Sequence, residues 1–288
     1  MHELKIPSIA GAIMIILLMF VSWGGLLQDK NKKGMLEVTF LDVGQGDATF
    51  IESPSGTQVL IDGGKGNQVL VGLHSVMGFF DRDIDMVVAT HPDMDHIGGL
   101  ADVLKRYKVG TILMTENMSH TPAFESFLEQ VKKEEANVVY ARRGQVYDLG
   151  WGESGSTTLS ILFPNYDPTG LESNMSSIVA QLVYGESEYL LMGDSPQEIE
   201  EYLVSIGMNL ESDVLKAGHH GSKTSSAESF VSAVTPTYVI YSAGKDNSYG
   251  HPHTEIVDRF TEHGVIQKNT ADLGSIVSES DGASIQFR

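Results

Sequence analysis

Four side chains able to hold a metal ion fall within six residues: His91, Asp93, Asp95 and His96, in the run Thr90-His91-Pro92-Asp93-Met94-Asp95-His96-Ile97-Gly98-Gly99. The apolar stretch 86–90 before them reads as a short buried strand. Residues 98–107 after them place Leu100, Val103, Leu104 and Tyr107 at helical spacing. The chain must therefore turn from strand to helix within a loop of donors. Pro92 stiffens such a loop, and the glycine pair lets backbone approach closely. A helix cap with solvated charges would account for Asp93 alone, but poorly for the whole set.

The same grammar recurs twice. Lys216-Ala217-Gly218-His219-His220-Gly221-Ser222 follows an apolar segment, and Gly250-His251-Pro252-His253 precedes a helical stretch. Six of the ten histidines lie in these three clusters, so chance explains them poorly. His2, His74, His120 and His263 are scattered and read as incidental. Consecutive side chains of an extended segment point to opposite sides. His219 is therefore expected to aim at the donor cluster, and His220 to line the substrate groove or steady the loop with Ser222. Asp62 ends an apolar strand beside Gly63 and Gly64, and Asp194 ends another after Gly193. With Ser195-Pro196 behind it, Asp194 also suits a helix start.

Composition narrows the chemistry. The chain has 0 Cys, which excludes thiolate metal sites, disulfides and cysteine nucleophiles. Any metal must be held by His, carboxylate or neutral oxygen. Lys+Arg 19 against Asp+Glu 38 gives a net charge of −19, which argues against non-specific coating of nucleic acid. A local groove remains open to phosphate, with Lys216, Lys223 and Lys245 near the histidine clusters in sequence. Hydrophobic residues at 41% exclude a disordered chain.

The domain plan has four parts: a short tail at 1–8, a transmembrane anchor or signal sequence at 9–27, a polar linker at 28–34, and one α/β unit at 35–288. The run 9–27 carries no charge over 19 residues, enough to cross ~30 Å of hydrocarbon as a helix. It lacks an Ala-x-Ala cleavage site, although Ser22 and Gly24 form a weak small-x-small pair. Lys30, Lys32 and Lys33 follow the span and Lys5 precedes it, so the basic count leans toward a cytoplasmic C-terminus. The short leading tail suits instead a signal-anchor that exports the α/β unit. The expected location is a single-pass membrane protein with an extracytoplasmic catalytic domain, or a secreted one if the N-terminus is cleaved. Within the α/β unit, strands are expected at 36–43, 48–51, 58–61, 86–90, 111–114, 137–140, 158–163, 177–184, 188–192, 214–217, 238–241 and 276–280. Helices are expected at 98–107, 124–135, 197–206, 227–234 and 254–262. Clustered strands followed by alternating β and α suggest layered sheets with helices outside.

The pattern His91-x-Asp93-x-Asp95-His96 resembles the HxHxDH signature of metallo-β-lactamase-fold hydrolases, with Asp in place of the second His. The resemblance is closer to the extracytoplasmic hydrolase domain of ComEC-type competence proteins. Phe40-Leu41-Asp42-Val43-Gly44-Gln45-Gly46-Asp47-Ala48 is similar to that subfamily's opening strand and loop. His91 to Gly99, Asn174-Met175-Ser176-Ser177, Gly193-Asp194, His219-His220-Gly221-Ser222 and Gly250-His251-Pro252-His253 then match in order across about 35–288.

The resemblance implies a four-layer αββα sandwich, preceded here by one transmembrane helix, with two divalent metal ions (Zn or Mn) at one edge. His91 and Asp93 would hold the first ion, and Asp95, His96 and His219 the second, with Asp194 bridging. Asp62 would orient the His91–His96 loop from behind. Asn174 falls near the place where many members carry a further His. Asp47 and Lys223 are expected in support. Asp95 would also orient the attacking water, and His220, His251 or His253 would protonate the leaving oxygen. The expected substrate is DNA or a related phosphodiester. The alternatives are a small phosphoester of phosphocholine type, a lactone, or a non-catalytic binding module. ComEC-type proteins carry a polytopic channel domain, and this chain has room for one span, so a role in DNA uptake does not transfer.

Overall fold

Period-two alternation sorts the apolar residues of this chain to two faces of each strand. In the computed structural model, which describes residues 34–288, the first sheet takes β1 (Leu36–Phe40), β2 (Thr49–Glu52), β3 (Gln58–Ile61), β4 (Asp83–Ala89), β5 (Lys108–Met114) and β6 (Asn137–Tyr140). The second takes β7 (Val146–Gly152), β8 (Gly155–Phe163), β9 (Val179–Tyr184), β10 (Ser187–Leu191), β11 (Val214–Lys216), β12 (Tyr238–Tyr241) and β13 (Ile266–Asn269). β14 (Ile276–Ser280) and β15 (Ile285–Phe287) return to the first sheet beside β1. The orders are β15-β14-β1-β2-β3-β4-β5-β6 and β13-β12-β11-β10-β9-β8-β7. The expected span at 9–27 lies outside the described residues.

Val38 and Phe40 of β1, Val59 and Ile61 of β3, and Met86 and Val88 of β4 face the second sheet. There they meet Leu159, Ile161, Leu182, Tyr184 and Leu191. The residues between them, Leu60 and Val87, point the other way. They are covered by Leu73, Leu100, Val103, Phe124 and Phe127 from the helices Gln68–Val76, Leu100–Leu104 and Pro122–Val131. Across the molecule, Leu190, Leu215 and Val239 face outward onto Ile199, Leu203, Phe230, Val231, Ile256 and Phe260. The result is helices, sheet, sheet, helices. With both faces covered, the central strands read as near-continuous apolar runs.

The strands fix where function can sit. β3 to β6 run parallel, as do β10 to β13. β1 points the same way as β3, through two antiparallel pairings with β2. The loops leaving the carboxyl ends of β1, β3, β4, β8, β10, β11 and β12 carry every donor picked out in the sequence. Ligand sites of layered α/β folds gather at that end of the strands.

Some local readings shift. The helix expected at 98–107 is shortened to Leu100–Leu104 and preceded by a separate turn of helix, Met94–Ile97, with Gly98-Gly99 between them packed against the Asp62 loop. A Cβ on Gly99 would lie 2.1 Å from the Gly63 carbonyl oxygen. The helix Gln68–Val76 and strands β7, β13 and β15 are additions that the sequence pattern does not announce; β7 (VYDLGWG) has two glycines and no clean alternation.

Glu200, fully buried on the helix Gln197–Ser205, accepts the amides of Ser226 and Ala227 at 2.7 Å each. It thereby ties the segment after the His219–His220 turn to the helix after Asp194. Glu200→Ala leaves two buried amides without an acceptor and should cost about 2–5 kcal/mol in chemical denaturation. An unchanged denaturation midpoint would refute this role.

Candidate metal centre

Asp194 is the focus of the site. It follows β10 at Gly193, whose φ of 52° is left-handed, and it is buried. Four imidazole Nε2 atoms converge on its carboxylate. His96 lies 3.1 Å from Oδ1, and His220, His219 and His91 lie 3.6, 3.7 and 3.9 Å from Oδ2. Asp93 Oδ2 stands 3.7 Å from His91 Nε2, and Asp95 Oδ2 stands 3.4 Å from His220 Nε2.

Each ring is gripped by its other nitrogen. His96 Nδ1 lies 2.7 Å from Asp62 Oδ2, and His220 Nδ1 lies 3.1 Å from Asp47 Oδ1. His91 Nδ1 pairs with Thr90 Oγ1 at 3.0 Å, and His219 Nδ1 with Thr224 Oγ1 at 3.1 Å. Asp62 also accepts the Thr90 amide and hydroxyl, at 2.9 and 2.7 Å. An outer partner that fixes ring orientation and raises ligand basicity is the usual support of a metal-binding histidine.

The inward atoms face one another as ion pairs, without hydrogen-bond geometry. His91 Nε2, His96 Nε2, His220 Nε2 and Asp194 Oδ1 are buried without a hydrogen-bond partner. Buried polar atoms left bare are costly, so such a group is built to receive a cation. Donors about 2.0–2.2 Å from one cation sit roughly 3.3–3.6 Å apart in a tetrahedron, close to the spacings here. The residues fit divalent metal. Ligand atoms of Asp47, His96, Asp194 and His220 lie within 4.8 Å of one another. Asp47 is nevertheless a supporting group, since its two oxygens already face His220 and Lys216.

Two expectations need correction. His220, rather than His219, joins Asp95 and His96, while His219 reaches Asp194 from the more open side, nearer Asn174. The segment is not extended: φ is 48° at His219 and 57° at His220, so both rings turn inward. Lys216 does not face phosphate. It is buried against Asp47 at 2.7 Å and donates to the Ala217 carbonyl. Lys223 and Lys245 are exposed.

The remaining expected residues sit around this core. Asn174 Nδ2 lies 3.5 Å from His219 Nδ1. The His251 ring stands 5.4 Å from that of His219 and 6.0 Å from that of His220. His253 is one ring further out, 4.8 Å from His251, and its Nδ1 accepts the Lys223 amide. Sequence reasoning missed Thr90, Thr224 and Ser173, whose hydroxyl donates to Asp93 at 2.6 Å. Of these, Thr90 alone carries a signal, as the immediate neighbour of His91. Gly46 is needed for close approach, because a Cβ there would lie 2.2 Å from the Asp95 carbonyl.

Electrostatics follow from the crowding. Burial alone would depress His96 and His220, but the carboxylates prevail. Asp194 and Asp62 hold His96 well above the usual histidine range, and Asp194 and Asp47 lift His220 to about 9. Burial would raise Asp194, yet His220, His96 and His91 hold it well below the ordinary carboxylate value. Without metal, protons on His96 and His220 stand in for a cation. His251 is pushed down to about 4 by burial and by the imidazoles of His220, His219 and His253. It is neutral near pH 7.

The family model described as Metallo-beta-lactamase superfamily matches residues 41–245. The chain is 31% identical over 195 residues to ComE operon protein 3 of Bacillus subtilis (strain 168), covering 68% of this chain and 24% of that protein. It is 28% identical over 266 residues to Recombination protein 2 of Haemophilus influenzae, covering 91% of this chain and 31% of that protein. The chain thus spans about a quarter to a third of these curated relatives. Among solved structures, the metallo-beta-lactamase fold protein YhfI from Bacillus subtilis aligns with a TM-score of 0.58 at 13% identity, covering 85% of this chain and 100% of that one, a likeness of fold. With that model covering most of the chain, and with the donors of its loops brought together on Asp194, this chain belongs to the metallo-β-lactamase superfamily.

Proposed function

We propose that this chain is a membrane-anchored, binuclear metal-dependent phosphodiesterase acting on DNA or a related phosphodiester, with Mn or Zn as the metal. The observation that carries the reading is a rigid donor cradle open along one side. His91, His96 and His220 are buried, whereas the side chains of Asp93, Asp95 and His219 are 44%, 32% and 27% exposed. A polymer can lie across such an edge. The similarity to proteins named for competence and recombination supports a nucleic-acid substrate.

His91, Asp93, His219 and Asp194 would hold one ion, and Asp95, His96, His220 and Asp194 the other. Divalent metal held there would supply Lewis acidity toward a phosphoryl oxygen and acidify water toward a pKa of ~7. Asp95 lies where it can orient the attacking water. His253, one ring further out than His251, would serve as the acid for the leaving oxygen. The charge-free run 9–27 would hold the domain at the membrane surface, on the extracytoplasmic side.

The test is a substrate panel with the purified chain loaded with Mn²⁺ or Zn²⁺. Single- and double-stranded DNA, RNA, bis-p-nitrophenyl phosphate, a phosphocholine ester and a lactone cover the options. Phosphodiester cleavage abolished by chelator is the expected result. Turnover of the lactone or the phosphocholine ester alone would replace this reading with a small-substrate hydrolase.

A further inference from the structure

The loop from β12 to the helix Thr254–Glu262 carries an aromatic ring that the proposed chemistry leaves unused. Tyr249 is 65% exposed, yet its ring is held nearly parallel to that of His251, at 5.7 Å and 21°. From there the rings continue inward to His219 and His220, whose Nε2 atoms face Asp194. Asn247 braces this loop. It accepts the His251 amide at 3.0 Å and donates to the carbonyls of His251 and Gly244 at 2.6 and 2.9 Å. Gly244 is tied in turn to Gln45 Oε1 at 3.1 Å, in the loop that ends at Asp47. The tyrosine is thus backed on one face and turned to solvent beside the metal centre. Exposed Lys245 precedes it in the loop, and exposed Lys223 adjoins His253.

We propose that Tyr249, backed by His251, is a stacking platform for an unpaired nucleobase adjoining the scissile phosphodiester. The strand that fits this site is single-stranded. Bases inside a duplex are stacked on both faces and must be extruded before an external ring can reach them. A stacking ring is sequence-tolerant because every base has a π face. The flanking lysines would follow the backbone in a chain that is otherwise strongly acidic. This inference rests on the phosphodiesterase reading for its substrate, but its readout does not need turnover.

The experiment uses the full chain, loaded with Mn²⁺, as wild type, Tyr249→Phe and Tyr249→Ala. The probe is a single-stranded oligodeoxynucleotide carrying 2-aminopurine, together with the same strand bearing an abasic position and with its duplex. Stacking quenches 2-aminopurine on binding in wild type and Tyr249→Phe, and not in Tyr249→Ala. Tyr249→Ala should raise KM for the single strand about 5- to 100-fold with kcat nearly constant, as expected for one lost base–aromatic stack. On the abasic strand the same substitution should add nothing. Equal quenching and equal KM in all three proteins would overturn the platform, as would efficient use of the duplex in place of the single strand. Quenching without cleavage of any phosphodiester keeps the platform and removes the phosphodiesterase reading. Cleavage of bis-p-nitrophenyl phosphate without quenching of the oligonucleotide does the reverse.

Discussion

Asp194→Asn should strip bound metal from the chain and abolish hydrolysis, while Asp102→Asn leaves both unchanged. Asp102 is a surface carboxylate paired with Lys105, whereas Asp194 faces four imidazole nitrogens. In the proposed two-metal site, a neutral amide would not offset the repulsion between the cations. The loss should exceed the about 10–100-fold fall in metal affinity that removal of a supporting residue causes. Metal per chain, measured by elemental analysis after gel filtration, decides the matter; equal occupancy in both variants would reduce Asp194 to a helix start. A companion signature lies in pH. Without metal, His220 titrates at about 9 in the fold, above its usual 6.5. A raised histidine value stabilises the fold fully below about 6.5 and ceases to do so as pH climbs through its folded value. Melting temperature in chelator should therefore fall on approaching pH 9. Metal binding must displace those protons, so apparent affinity rises with pH over the same window.

Lys216→Met is expected to destabilise the metal-free chain by about 3–5 kcal/mol, because it leaves the buried Asp47 carboxylate without its cation. Lys216 and Asp47 are both buried and 2.7 Å apart. Asp47 also holds His220 Nδ1, so metal affinity should drop as well, by about 10–100-fold. The double variant Asp47→Leu with Lys216→Met separates the two effects. It should recover much of the stability, since no charge remains unpaired, but none of the metal affinity. If Lys216→Met instead keeps its denaturation midpoint and only raises KM for a phosphodiester, the lysine holds phosphate and the ion pair is incidental.

The first donor loop is legible in the sequence because four ligand types in six residues leave few alternatives. Asp62 and Asp194 are readable from strand ends followed or preceded by glycine. The two adjacent histidines exchange their expected places for a local reason. Left-handed φ at His219 and His220 turns both rings to one side, and such a conformation is uncommon for any non-glycine residue, so the extended reading is the default. Lys216 misleads for a distant reason. Its partner Asp47 lies on a loop of the other sheet, and no local pattern near Lys216 signals burial. The elements expected with correct type are those with a short apolar run or helical spacing, such as β12 and the helix Thr254–Glu262. β7, rich in glycine and polar residues, carries no such period.

The donors come from both sheets: Asp62, His91, Asp93, Asp95 and His96 leave the first, while Asp194, His219 and His220 leave the second. His220 and Asp47 meet across a separation of 173 positions. Neither half can assemble the centre alone, so it closes only after the two halves of the chain have docked. Contacts of such long sequence separation form slowly, since the loop entropy must be overcome first. Metal that binds only the docked state stabilises that state by mass action and acts as a rivet between the halves. Resistance to unfolding would then rise and fall with the supply of the same ion that the chemistry requires.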